Sequence, residues 1–159
     1  MKTKGVVIPY NVDAVEHSLE IVIPEECVVC DLKAASLREA VGQLVHRLHD
    51  SGHVSSFDDC MEAVMARERM MPTTLEDGID FPHARTSAAK HLVSSIALCE
   101  FNGVAQRHII VLTFAPEKED CPYMQYIRYM ASRLYALKDR EQLLRISTNV
   151  ALRAWFLDR

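Results

Sequence analysis

LVSSIALCEFNGVAQRHIIVLTFAP, residues 92–116, holds two apolar runs separated by Asn102-Gly103. The second run, residues 107–116, is nearly continuous in Ile, Val, Leu and Phe, the composition of a strand buried on both faces. Asn-Gly turns a chain sharply, so the two runs are expected to form an antiparallel hairpin. Buried on both faces, that hairpin needs covering layers. The remainder of the chain has to supply helices.

Those helices are legible on either side of the hairpin. SLREAVGQLVHRLHDSG, residues 36–52, begins with a capping box, Ser36 with Glu39, and ends at Gly52. Leu37, Val41, Leu44, Val45 and Leu48 form one apolar face along it. A second helix is expected from Ser55 or Ser56, with Phe57, Cys60, Met61, Val64 and Met65 at helical spacing, until Pro72 stops it. After Pro116, a long helix carries Tyr123, Tyr126, Ile127, Met130, Leu134 and Leu137, with Pro122 in its first turn. DREQLLRI (139–146) and NVALRAWFL (149–157) read as two shorter helices, each with an Asp or Asn for a cap. EIVIP (20–24) and CVVCDL (27–32) read as short strands or extended segments. The expected class is α/β, a mixed central β-sheet with helices on both faces, in one domain over residues 19–159 behind an extension of residues 1–18.

Composition bounds the chemistry. The chain has 159 residues, 49% of them hydrophobic, enough to bury a core. Lys and Arg total 18 against 22 Asp and Glu with no basic run, so nucleic-acid binding by bulk charge is not expected. No apolar run reaches the roughly 20 residues of a membrane span, and the first residues lack the pattern of a signal peptide. A cytoplasmic protein without direct membrane insertion is the expectation. Five cysteines fit reduced thiols better than a disulfide framework. Cys27 and Cys30 have the spacing of a redox pair or half a zinc site. They lie in a β-branched run with no second pair, so a structural role is the stronger reading. His46, His49 and His53 fall near one helical face, but Gly52 is expected to end the helix before His53 and no carboxylate is expected to be fixed beside them, so exposed histidines are expected rather than metal ligands. His17, His91 and His108 are isolated.

GIDFPHARTS, residues 78–87, raises a different question. Gly78 permits a turn, Pro82 holds Phe81 extended, and His83 closes a strand or opens a loop. A neutral imidazole is nucleophilic at cellular pH and can accept a phosphoryl group. Such transfer needs in-line positioning and cations or N–H and O–H donors around the phosphoryl oxygens. Arg67 and Arg85 offer charge; Thr73, Thr74 and Thr86 offer hydroxyls. By spacing alone, a satisfied loop histidine is the more economical reading.

The longer run RERMMPTTLEDGIDFPHAR, residues 67–85, resembles the signature of the enzyme IIA domains of the phosphoenolpyruvate-dependent sugar phosphotransferase system, of the fructose, mannitol and nitrogen-regulatory type. In that family an Arg-Glu pair and a Ser-Thr segment precede Gly-Ile-Ala-Ile-Pro-His-Ala. The order of elements over residues 19–159 is similar too. The resemblance implies that His83 is the phosphorylated histidine, with Arg67, Thr73 and Arg85 at the matching signature positions. It implies a phosphoryl donor, the small carrier HPr or its nitrogen-type counterpart, and an acceptor, an enzyme IIB component. The alternative it allows is a nitrogen-branch regulator in which the phosphorylation state of His83 switches partner binding. A domain that retains the fold but has lost phosphorylation is disfavoured by the retained Arg67, Thr73 and His83. No metal or organic cofactor is implied.

Two departures from the pattern stand out. Many members carry a second histidine at the start of the long helix; here the segment is YMQYI (123–127), with Tyr123 in that place and no histidine after His108. A phenol donates a hydrogen bond but carries no positive charge near neutral pH. MPTTLED (71–77) replaces a small, Gly-rich stretch and brings Glu76 and Asp77 towards a site that must accept an anion. Strand alternation sets Asp80 on the face opposite Phe81 and His83.

Overall fold

The computed structural model describes residues 19–72, 74–76, 78–103, 106–118, 121–135 and 140–157. The 1–18 extension, Thr73 and Asp77 lie outside the described residues, as do the side chains of Thr74 and Glu76.

The chain opens with α1 (Leu19–Val22) and a 3-10 turn (Glu25–Cys27), and then enters β1 (Val28–Ala34). The strand expected at 20–24 is therefore helical. Leu19, Val22 and Ile23 sit at helical spacing and are wholly buried, whereas Ile21 is exposed. Burying three side chains on one side of a turn outweighs the β preference of Ile and Val.

Helices α2 (Leu37–Asp50) and α3 (Phe57–Met70) follow. The Ser36 hydroxyl accepts from Glu39 N at 3.1 Å, and the Glu39 carboxylate accepts from Ala35 N at 2.8 Å, so the expected capping box forms with its return bond one residue early. Ser56 caps α3 through Asp59 N at 3.1 Å. Gly52, at φ 84, ends the α2 segment in a conformation that a side chain would disfavour.

Three short strands, β2 (Thr74–Glu76), β3 (Ile79–Asp80) and β4 (His83–Arg85), precede the hairpin β5 (Val93–Phe101) and β6 (Arg107–Ala115). β5 and β6 pair antiparallel from Val93↔Phe114 to Glu100↔Arg107. Asn102 and Gly103 both have positive φ, 51 and 76, as a tight reversal requires. The sheet order is β1-β5-β6-β3-β2, with β4 also on β6. β1 runs parallel to β5, and β3 and β4 run parallel to β6, so the sheet is mixed.

The two faces of the sheet bury different helices. One core holds Ile79, Phe81, Ile96 and Val111 against α1, α4 (Tyr123–Tyr135), α5 (Arg140–Leu144) and α6 (Asn149–Leu157). The other holds Val29, Ala97, Ile110 and Leu112 against α2 and α3. This is the α/β architecture with helices on both faces that the residue pattern predicts. One cap differs. Asn149 Oδ1 accepts from Cys30 N at 2.8 Å, tying α6 to β1, and Thr148 caps α6 through Ala151 N at 3.1 Å.

Candidate functional site

Pro82 decides where the histidine goes. Lacking an N–H, it interrupts the ladder between β3 and β4, while its carbonyl still accepts from Thr113 N at 3.0 Å. The chain resumes pairing at once, with His83 opposite Thr113. His83 thus opens a strand, where the sequence suggested a strand end or a loop.

The imidazole is 8% exposed and its Nδ1 lies 2.7 Å from the carbonyl oxygen of Phe81. A carbonyl only accepts, so Nδ1 carries the proton and the neutral ring keeps its lone pair on Nε2. Burial pushes the His83 pKa below the ordinary histidine value. The Phe81 carbonyl opposes that shift, the positive charge of Arg67 adds to it, and the Glu68 carboxylate opposes it. The ring is a neutral nucleophile with a defined tautomer.

Three of the sequence-predicted residues surround it. Arg67, in the last turn of α3, donates to Met71 O at 3.4 Å and acts electrostatically on both His83 and Tyr123. Tyr123, opening α4, has its ring centroid 6.2 Å from that of His83. Burial holds its hydroxyl protonated, with a pKa pushed up to about 12 despite the opposing charges of Arg67 and Arg85. The Arg85 guanidinium lies 4.8 Å from the Tyr123 ring centroid and donates to Lys118 O at 3.2 Å. Thr73 lies outside the described residues, as do Asp77 and the side chain of Glu76. Thr86 is buried and its hydroxyl accepts from Ala88 N at 3.1 Å, which shapes the following turn.

Beneath the histidine lies a polar group that sequence reasoning missed. Ser94 Oγ is 2.6 Å from Thr113 Oγ1 and 2.8 Å from the Tyr126 hydroxyl, all three residues being wholly buried. Thr113 pairs with both His83 and Ser94 in the sheet, so the network underlies the site's own strand. The available signal was polarity out of place: Ser94 and Thr113 interrupt otherwise apolar runs.

The other candidates separate. Asp80 is buried with its carboxylate 3.7 Å from His108 Nδ1, and its charge acts on Cys99 of the α2–α3 face, away from the Phe81 side. His46 stacks on Phe57 at 4.1 Å, and His49 is exposed beside Asp50. His53 departs from the expectation: it is mostly buried and held between the Glu26 carboxylate and His91, because the chain turns after Gly52 and carries it back towards the start of β1. Cys27 and Cys30 are free thiols buried in opposite core layers, which excludes the redox pair.

A mixed sheet between two helical layers, with a buried histidine on a short strand beside its central hairpin, is the fold of the enzyme IIA components of the mannitol and nitrogen-regulatory type. Nitrogen regulatory protein IIA-Ntr from Neisseria meningitidis superposes with a TM-score of 0.69 at 21% identity, over 84% of this chain and 94% of that one. The mannitol IIA of Escherichia coli superposes with a TM-score of 0.62 at 18% identity, over 84% and 95%. Residues 21–158 match the family described as phosphoenolpyruvate-dependent sugar phosphotransferase system, EIIA 2, and the chain belongs to that family. A curated relative, the 2-O-alpha-mannosyl-D-glycerate-specific EIIABC component of Escherichia coli K12, is 27% identical over 117 residues, 69% of this chain. The chain spans 18% of that relative's length. No helix among the described residues is long and apolar enough to cross a membrane.

Proposed function

We propose that His83 accepts a phosphoryl group from the phosphohistidine of HPr, or of its nitrogen-type counterpart, and passes it to an enzyme IIB component. The observation that carries this reading is the bond from His83 Nδ1 to Phe81 O, because it leaves Nε2 as the nucleophile. In the forward step the Nε2 lone pair forms the new N–P bond while the donor's N–P bond breaks, its electron pair returning to the donor imidazole. The loaded ring then bears phosphoryl on Nε2 and a proton on Nδ1, and the Phe81 carbonyl stabilises the positive charge that develops on it. Arg67 and Arg85 supply cationic charge to the phosphoryl oxygens. Tyr123 and Thr73 supply hydroxyl donors. Membership of the family supports these roles.

A second reading is favoured by Tyr123. A buried phenol takes the place where many members carry a histidine, and it can neither take up a proton nor become cationic near neutral pH. Slow turnover suits a nitrogen-branch regulator, in which phosphorylated His83 alters the binding of a partner.

Incubation with phosphoenolpyruvate, enzyme I and HPr should add one acid-labile phosphoryl group, read by intact mass. No uptake, or equal uptake by His83→Gln, overturns the phosphocarrier reading. Loss of label to an enzyme IIB domain identifies a relay; its retention identifies a switch.

A further inference from the structure

The histidines 46, 49 and 53 and the Cys27/Cys30 pair each fail as a metal site taken alone, but the fold joins one member of each. The Glu26 carboxylate, the Cys27 sulfur and a ring nitrogen of His53 all lie within 4.8 Å of one another. Glu26 Oε2 is 2.9 Å from His53 Nε2, and His53 Nδ1 is 3.0 Å from His91 Nε2. His91 Nδ1 in turn lies 3.0 Å from Leu92 O.

Protons along this row do not balance for neutral rings. The row ends in two acceptors, the Leu92 carbonyl and the Glu26 carboxylate, and its three contacts need three ring protons. Two neutral imidazoles hold two. Starting from Leu92, each bond is satisfied in turn: His91 Nδ1–H donates to the carbonyl, and His53 Nδ1–H donates to His91 Nε2. Counted in that order, the contact between His53 Nε2 and Glu26 Oε2 is the one short of a proton, and either a third proton on the pair or a metal ion in its place satisfies it. The neighbouring guanidinium groups bond to backbone carbonyls, Arg47 to Glu26 O and Arg153 to Ile23 O and Glu20 O, while their charges act on Cys27 and Glu26 respectively.

We propose that Glu26, Cys27 and His53 bind a divalent transition-metal ion of the Zn2+ type, with His91 as the residue that orients His53. Imidazole, thiolate and carboxylate are all ligands of this ion, and three protein ligands leave a fourth position for water. A ring whose far nitrogen is hydrogen-bonded to an anchored acceptor is the usual arrangement of a metal-ligating histidine. Binding takes the proton of the Cys27 thiol, because the thiolate is the ligand. Burial pushes the Cys27 pKa up to about 11, although a hydrogen bond with Ser51 and the charge of Arg47 act to lower it.

The scaffold is built before any ion arrives. His53 N donates to Leu48 O at 2.9 Å, Lys90 N donates to His53 O at 3.2 Å, and Val54 bridges Ala89. Bound metal would pin the start of β1 to the α2–α3 connection. The site is separate from His83, and its test does not depend on phosphorylation.

Co2+ and Zn2+ added to the full, untagged chain provide that test. One equivalent of Co2+ should produce a thiolate-to-cobalt charge-transfer band in the near ultraviolet, displaced by Zn2+. Cys27→Ser should abolish the band and Cys30→Ser should leave it. Glu26→Gln, at a half-exposed position, and His53→Gln should each weaken Zn2+ binding by about tenfold or more. His91→Phe should weaken it about 10- to 100-fold while leaving the band where it is. Absence of the band at equimolar Co2+ in folded protein overturns the site. Should Cys27→Ser fail to fold, wild-type affinity in both Glu26→Gln and His53→Gln overturns it equally.

Discussion

His83 Nδ1 and the carbonyl oxygen of Phe81, two residues earlier in the same chain, lie 2.7 Å apart. Pro82 between them holds Phe81 extended and brings its carbonyl under the ring. The consequence is a fixed tautomer with Nε2 available, so phosphorylation of His83 is expected on Nε2. Nitrogen-15-resolved NMR of the phosphorylated protein should show phosphorus coupled to that atom. Coupling to Nδ1 would mean that the Phe81 contact breaks before transfer.

The pH dependence follows from burial. With its pKa below the ordinary histidine value, folded His83 stays neutral at pH values where the unfolded chain is already protonated. In that window the unfolded state binds more protons, so the stability contributed by neutral His83 is complete above the unfolded pKa and is lost as pH falls through the window to the folded pKa. The acid limb of the phosphorylation rate should accordingly have its midpoint below pH 6.5, the reference histidine value. Arg67→Ala removes a charge that depresses this pKa and should raise it, while Glu68→Gln should lower it. A proton NMR titration of the His83 ring reads both signs; movement in the opposite directions would show that neither charge acts on the imidazole.

Arg67→Ala should also slow phosphorylation without unfolding the protein. Loss of one charge-assisted donor at a phosphoryl group costs on the order of tenfold to a thousandfold in rate. Single-turnover transfer from phosphorylated HPr, with thermal melting as the control, measures it. An unchanged rate would remove Arg67 from the site.

The hairpin, both central helices and the sheet class were legible in local patterns: a turn dipeptide between apolar runs, caps, and apolar residues at helical spacing. α1 was not, because Ile and Val carry the same β preference whether or not three of the neighbouring side chains bury together. His83 stood out because a local signature surrounds it. Thr113 and Ser94 did not, since their part in the site arises from cross-strand pairing between residues far apart in the chain. The same holds for His53 and Cys27, which belong to two different sequence motifs and meet only where β1 begins beside the α2–α3 connection. Long-range pairing, unlike capping or periodicity, leaves no fixed spacing to read.

The Ser94–Thr113–Tyr126 network should be costly to break. All three hydroxyls are inaccessible to water, so replacing one leaves partners short of a bond in a medium that offers no substitute. Thr113→Val, nearly isosteric, should destabilise the protein by about 1–3 kcal/mol. Urea unfolding should show a lower midpoint with an unchanged slope. A variant as stable as wild type would show that the network contributes no net stabilisation.

Tyr123 offers two separable contributions, a hydroxyl donor and a ring face. The hydroxyl stays protonated until about pH 12, so whatever it donates is independent of pH across the working range. The ring face carries the Arg85 guanidinium at 4.8 Å, an interaction of about 0.5–1 kcal/mol at an exposed site. Tyr123→Phe removes the donor and keeps the platform; Tyr123→Leu removes both. If the hydroxyl bonds the phosphoryl oxygens, Tyr123→Phe should slow loading of His83 several-fold by the same factor at every pH, and Tyr123→Leu should slow it further by releasing Arg85. A double-mutant cycle with Arg85→Ala separates the two, because the extra loss in Tyr123→Leu should vanish once Arg85 is gone. Equal rates for wild type and Tyr123→Phe would reduce Tyr123 to a support for Arg85.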